Sequence, residues 1–359
     1  MNEHGFDVSS AETVNEKCLN CGSNLLFDPE TQKLKCPHCE TLVDFEKSSN
    51  VLENDIREFL NGNQTWNTES VVYRCENCGA SLVLAPNQTA ASCPYCGASH
   101  VVKSEEEAGL KPGAVYPFTI TSEVASNFAK TWAKKRLFAP SRFKKDLVTD
   151  KFKGVYQPSY TFDSNTYSTY YGRVGVRHTR TVGSGKNRRT ETYIVWRNIS
   201  GDYSHFFDDV TVNSDDIEFQ STINKLLPFN YNSIKVYDTE YLTGYMAKRS
   251  NRTVKDCWGD AKSMMDASLR SLILSRHRHD VVDFLNVSTS HQNVTFKYVL
   301  LPVYVSNFKY KKKDYKVFVN GNTGKVTGKT PVSPWRVLIA VILGLAIVAL
   351  LGYLFYSNS

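Results

Sequence analysis

The chain has 359 residues, 41% apolar and 22% charged, with a formal net charge of +7. That length suggests two or three domains, and that composition excludes a wholly disordered chain. The charge is split: in residues 1–113 acidic side chains outnumber basic ones by about two to one, so a surface for phosphate backbones is not expected in the N-terminal third.

The opening stretch, MNEHGFDVSSAETVNEK, is acidic and lacks an apolar core, so it does not read as a secretory signal. Two cysteine blocks follow. Cys18, Cys21, Cys36 and Cys39 form a C-x2-C…C-P-x-C pattern, and Cys75, Cys78, Cys93 and Cys96 repeat it with the same interval. Gly22 maps onto Gly79, Leu25 onto Leu82 and Pro29 onto Pro86, so the blocks are an internal duplication. Two CxxC pairs at this spacing fit four thiolates around a tetrahedral zinc ion. Each turn brings two sulfurs onto one ion, with Gly or Pro presetting the backbone. Disulfides are disfavoured without an export signal. Rubredoxin-like iron normally has a longer interval between its pairs. Four protein ligands leave no open position, which makes each site structural and not hydrolytic. Segments this short cannot bury a core alone, and zinc contributes on the order of 10–16 kcal/mol to folding such units.

The expected boundaries are ribbon one at 14–46, a helical spacer at 47–70, ribbon two at 71–102 and a linker at 103–113. In the spacer, VLENDIREFL places Val51, Leu52, Ile56, Phe59 and Leu60 at helical spacing, with Gly62 as the stop.

Residues 114–330 read as one α+β domain with an antiparallel sheet. The 20 Tyr and 19 Phe suit pleated, half-buried surfaces. AVYPFTI predicts a strand, and TSEVASNFAKTWAKKRLF a helix capped at Thr121 or Ser122. Tyrosine-rich runs from 155 to 207 predict long strands, with GSGKNRR as a hairpin loop. A second helix is expected from Thr253 to Ser275, with Cys257 on its packed face. The last strands turn at NGNTG, residues 320–324. YQPSYTF and LLPVYVS align Pro158 with Pro302 and Tyr160 with Tyr304, which suggests two related halves.

Catalytic signals are weak. His277, His279 and His291 could form a metal site, but read as a solvated stretch. Asp208, Asp209, Asp215 and Asp216 read as acidic loop residues. No nucleophile elbow, dinucleotide fingerprint or HExxH pattern is present. Arg173, Arg177, Arg180, Lys186, Arg188 and Arg189 could face anionic lipid, although solvated strand edges explain them nearly as well.

Residues 337–356 form an uncharged apolar run. As a helix it would be about 30 Å long, the thickness of a bilayer core. Lys325, Lys329 and Arg336 flank its start, and nothing basic follows it, so the positive-inside rule puts the bulk of the chain in the cytoplasm. Ala340 and Gly344 give a small-xxx-small face, so an oligomer is compatible with the sequence.

The cysteine blocks, with strands such as SLVLA between knuckles, resemble the zinc ribbon of general transcription factor B and RNA polymerase subunits. The order of parts as a whole is similar to bacterial membrane-anchored zinc-ribbon proteins, often labelled replication-restart-helicase-like. The carrying motifs are the duplicated ribbons, a YQPSYTFD segment and an LLPVYVSNFKYKKKDYKVFVNGNTGKVTG segment before the tail helix. The resemblance implies a cytoplasm-facing membrane protein, with two zinc ions, that acts with partners of the phage-shock-protein-A and flotillin-like (SPFH) types. Glu40 departs from the pattern, standing where a knuckle glycine is expected. The expectation is a non-enzymatic, tail-anchored adaptor. Its rivals are a membrane-tethered nucleic-acid binder and an enzyme whose site in 114–330 the sequence does not reveal. The acidic first third counts against nucleic acid.

Overall fold

A computed structural model describes residues 17–60, 71–77, 81–84, 93, 101–104, 110–145, 152–185, 188–215, 217–310 and 313–357. Strands β1 (Leu26–Asp28), β2 (Lys33–Lys35) and β3 (Leu42–Val43) make a small antiparallel sheet in that order. Strand β4 (Asn54–Asp55) follows. Strands β5 (Val71–Cys75), β6 (Ser81–Leu84) and β7 (Val101–Ser104) make a second antiparallel trio with β5 in the middle. The α+β body then runs β8 (Ala114–Val115), α1 (Ser122–Lys134), α2 (Ser141–Lys145), β9 (Lys153–Val182), β10 (Arg189–Asn213) and α3 (Ile217–Leu226). It continues with β11 (Lys235–Val236), β12 (Met246–Lys248), α4 (Val254–Ser275), β13 (Val281–Tyr310), β14 (Lys313–Asn320) and β15 (Val326–Gly328), and α5 (Pro334–Ser357) ends the described chain.

The body is organised on β9 and β13, antiparallel neighbours of 30 residues each. At about 3.3 Å per residue such strands reach about 100 Å. Both are rich in tyrosine and β-branched residues, and residues 155–164 of β9 and 296–306 of β13 are buried on both faces. β10 pairs with β9 from Ser159 to its end at Val182, and β14 with the last part of β13.

The faint repeat reappears as hydrogen-bonding topology. β8 runs parallel to β13, with Ala114 opposite Val299, while β12 runs parallel to β9, with Met246 opposite Val155. The spacing from Val155 to Val299 equals that from Pro158 to Pro302. Each half is therefore a short strand, a helical segment, a long strand and its hairpin partner, and each gives its short strand to the other half's long strand.

The helices begin where their caps predict. Thr121 Oγ1 accepts from Val124 N–H, and Thr253 Oγ1 accepts from Asp256 N–H. α4 lays Cys257, Ala261, Met265, Leu269 and Ile273 against Val174, Ile199, Tyr203 and Leu285 of the three outer strands.

The spacer departs from expectation. Residues 51–60 were expected to be helical; they form β4 and one 3-10 turn, Ile56–Glu58. Asn54 and Asp55 pair with Phe296 and Thr295 of β13, Ile56 is buried, and Phe59 packs edge-on against Phe296 at 4.8 Å. The sheet edge and the aromatic contact outcompete a helix in which Asn54 and Asp55 are poor formers. Glu53 adds a charged tie. Its carboxylate accepts from Thr295 Oγ1 at 2.6 Å and Lys297 Nζ at 3.0 Å.

Lys297 is buried and also meets Asp209 at 2.8 Å and Asp163 at 3.5 Å. Two bulges flank this knot. β10 slips between Phe207 and Val210, and β13 between Gln292 and Thr295, with Asp209 and Asn293 at positive φ. Lys297→Met is expected to cost about 3–5 kcal/mol in denaturant unfolding, because it strands carboxylates without their cation. Glu53→Gln should cost clearly less, since Glu53 is partly solvated.

Candidate metal centre and membrane helix

Cys18, Cys21, Cys36 and Cys39 come together with all four sulfurs within 4.8 Å of one another. Cys18 Sγ lies 3.3 Å from Cys39 Sγ, and Cys21 Sγ 3.4 Å from Cys36 Sγ. Sulfurs at tetrahedral corners around an ion about 2.3 Å away stand about 3.8 Å apart, so the donor set can hold a metal ion.

The two knuckles are built alike. Gly22 N–H donates to Cys18 O and Glu40 N–H to Cys36 O, at 2.7 and 3.0 Å. Cys18 N–H donates to Ser23 O and Cys36 N–H to Thr41 O, at 2.8 and 2.9 Å. Gly22 has φ +72°, and Glu40 takes φ +61° at the equivalent place. The missing glycine therefore leaves the turn intact and is absorbed as left-handed strain at one residue.

The surroundings favour thiolates on the exposed side. The Thr41 hydroxyl, then the Thr41 N–H and the neighbouring sulfurs, pull the Cys39 thiol down to about 6. The Ser23 hydroxyl lowers that of Cys21. At Cys36 the Cys39 and His38 N–H groups favour the thiolate, but burial and the sulfurs of Cys21 and Cys39 outweigh them and raise it to about 11. Four thiols this close lose protons as a set, and a cation would draw off all of them.

Half of this centre belongs to the body. Cys18 and Cys36 are buried and Cys21 and Cys39 exposed. Leu25, Phe27 and Leu34 join a core with Phe118, Tyr156, Tyr241 and Tyr304. Phe27 meets Tyr241 at 5.3 Å, and Gln32 Nε2 donates to Phe118 O at 2.8 Å. The solvent side instead carries Leu19, 99% exposed, on the tip of the first knuckle.

In the second block Cys75 and Cys93 are buried, as their counterparts Cys18 and Cys36 are, while Cys78 and Cys96 lie outside the described residues. The duplication shows in backbone pairing. Lys17 bridges Asn24 in the first block, and Arg74 pairs with Ser81 at the matching positions of the second. β6 also joins the body sheet, with Leu82 opposite Lys248 and Val83 opposite Ala247 of β12.

The other candidates resolve differently. Cys257 is buried on α4 and its thiol is pushed up to about 12, chiefly by that burial, as a packing residue requires. Asp163, Asp208 and Asp209 converge, yet Lys297 already stands among them; burial raises the Asp163 carboxyl to about 6. Asp215 pairs with Lys248, and Asp216 is outside the described residues. His277 meets the Tyr170 hydroxyl at 3.0 Å. His291 stands between Asp266 at 3.1 Å and Ser164 at 3.5 Å. That is the order of a nucleophile relay, but Ser164 is a fully buried residue of β9 and out of a substrate's reach.

Arg173, Arg177, Arg180 and Arg189 sit on the far part of the β9–β10 hairpin, where Asp283 pairs with Arg173 and Glu191 is shared by Arg180 and Arg189. Residues 186–187 of its loop are outside the described residues. α5 is long and apolar enough to cross a membrane over Pro334–Leu354, and none of that span is buried by the protein. Its start is tied to the loop after α1, a contact that no local pattern announces. Leu19 and the Lys297 knot were likewise invisible in sequence, since both depend on which face of a short segment meets the sheet.

A protein of Bacillus subtilis (strain 168) designated Uncharacterized protein YdjG is 31% identical over 330 residues, covering 90% of this chain and 92% of that one. No family model matches, and no solved structure does.

Glu40→Gly should raise the thermal stability of the first block by about 1 kcal/mol, and Gly22→Ala should lower it by a similar amount, because each changes the left-handed penalty at its knuckle. Gly22 has open space where a Cβ would stand, so backbone strain alone sets that loss.

Proposed function

This chain belongs to the same family as YdjG of Bacillus subtilis, and we propose that it is a non-enzymatic, single-pass membrane adaptor whose two structural zinc ribbons recruit or organise cytosolic proteins at the membrane. One observation carries the reading. A four-sulfur centre with an exposed apolar knuckle is built into the same body that ends in an unburied apolar helix. Zinc is the ion chosen because four thiolates in two CxxC turns suit its tetrahedral preference. With every position taken by protein sulfur, the ion would fix structure and leave no site for a reacting ligand.

The bulk of the chain faces the cytoplasm in this account, because the positive residues Lys325, Lys329 and Arg336 precede the helix. A reducing cytoplasm also keeps the cysteines available as thiolates. Leu19, Leu26 and Leu42 are exposed on the first block and supply an apolar anchor. Partners of the phage-shock-protein-A or SPFH type are proposed from the resemblance of the chain's order of parts. The acidic first third disfavours nucleic acid there.

Elemental analysis of the purified full chain should give two zinc per chain; one zinc, or iron, contradicts the assignment. Cys75→Ser should lose one equivalent and keep the other, since removing a thiolate forfeits most of the metal's folding energy, on the order of 10–16 kcal/mol for a small site. For the adaptor role, Leu19→Asp leaves the sulfurs in place. Crosslinking in intact membranes should then lose a cytosolic protein that wild type retains. An unchanged set of crosslinked proteins, or loss of nucleic acid alone, would overturn it.

A further inference from the structure

α5 does not leave the body through a free tether. Ser333 N–H donates to Phe138 O at 2.8 Å. The Arg336 guanidinium donates to Leu137 O at 3.1 Å and to Ser141 Oγ at 2.8 Å. The corner between α1 and α2 is thereby fixed to the first turn of the apolar helix. If that helix spans, this corner lies at the level of the headgroups.

Its chemistry matches that place. Leu137 is 75% exposed and Phe138 is also exposed, with the exposed Trp335 on the adjoining helix turn. Lys135 and Arg136 are exposed beside them, and Arg142 follows on α2. The Arg136 guanidinium stacks on Trp132 at 4.6 Å, which holds the cation at the corner. No Asp or Glu occurs from residue 124 to residue 145. The hairpin arginines stand elsewhere: β9 carries them away from the end of the sheet where α1 packs, and three of them pair with carboxylates.

We propose that the α1–α2 corner is a second membrane contact, one that binds anionic phospholipid headgroups. Leu137 and Phe138 enter the headgroup–acyl boundary, and Lys135 and Arg136 meet lipid phosphates. An apolar tip flanked by Lys135 and Arg136 is complementary to a negatively charged bilayer surface. The contact is preorganised by the three hydrogen bonds from Ser333 and Arg336, so little ordering is needed for it to form. Two attachment points, one through the bilayer and one upon it, hold the body in a single orientation. The inference rests on reading α5 as transmembrane.

The test uses the full chain in lipid nanodiscs of phosphatidylcholine alone or of phosphatidylcholine with phosphatidylglycerol. Amide hydrogen exchange of residues 135–142 should slow several-fold in the anionic discs, and high salt should abolish the slowing. Lys135→Gln with Arg136→Gln should weaken the preference for anionic discs by about fivefold per charge. Equal exchange of the wild-type segment in both discs would overturn the proposal, as would slowing that requires an added cytosolic protein. Alkaline carbonate treatment of native membranes separates the two readings. A chain that is extracted refutes the spanning helix. A chain that stays, with exchange indifferent to lipid charge, refutes the lipid contact alone.

Discussion

The antiparallel pairing of β9 with β13 is the constraint from which the rest of this protein is built. Each strand feeds one half of the molecule, and each accepts a short strand from the other half, β12 on β9 and β8 on β13. Neither half can therefore complete its sheet alone. The bulges at Asp209 and Asn293 both fall beside Asp163 on β9, and the carboxylates gathered there depend on one lysine from β13. A charge knot of this kind specifies register more than it adds stability, because a one-residue slip would turn Lys297 away from its partners.

The cysteine blocks are part of that construction. The first gives Leu25, Phe27 and Leu34 to the main core, where each fully buried apolar side chain contributes about 1.5–3 kcal/mol. Strand β6 of the second continues the main sheet through β12, and Cys75 and Cys93 are buried in a cluster with Val299 and Val303. A metal in either block would brace the body as well as its own loops. In the proposed adaptor role, this would fix the distance and angle between the exposed Leu19 knuckle and the start of α5, where two separate heads on strings would leave both free.

What the sequence revealed follows from how local each determinant is. Ligand spacing, the caps at Thr121 and Thr253 and the apolar run of α5 are set by neighbours in the chain, and all are legible there. The Pro158 and Pro302 match was legible as a repeat, but the exchange of short strands was not, because pairing across halves leaves no local trace. Residues 51–60 misled because their apolar spacing suits a helix while their burial comes from β13. Glu40 looked like a defect by residue type, yet its backbone simply adopts the turn that Gly22 takes. Sequence rules describe the cheapest conformation of a segment, and here the long strands overrule them wherever a short segment crosses their face.

The cysteine blocks and the body form one cooperative unit. This is tested most directly by following hydrogen exchange in the body core, at Tyr156, Phe118 and Tyr304, while a chelator strips metal from the full chain in detergent. Exchange at these core amides should accelerate as the metal leaves, and the body's thermal unfolding should shift downward with it. Core amides that keep their protection after the metal has gone, with only residues 18–41 and 75–96 loosened, would show the blocks to be separate heads and the body to be independent of them.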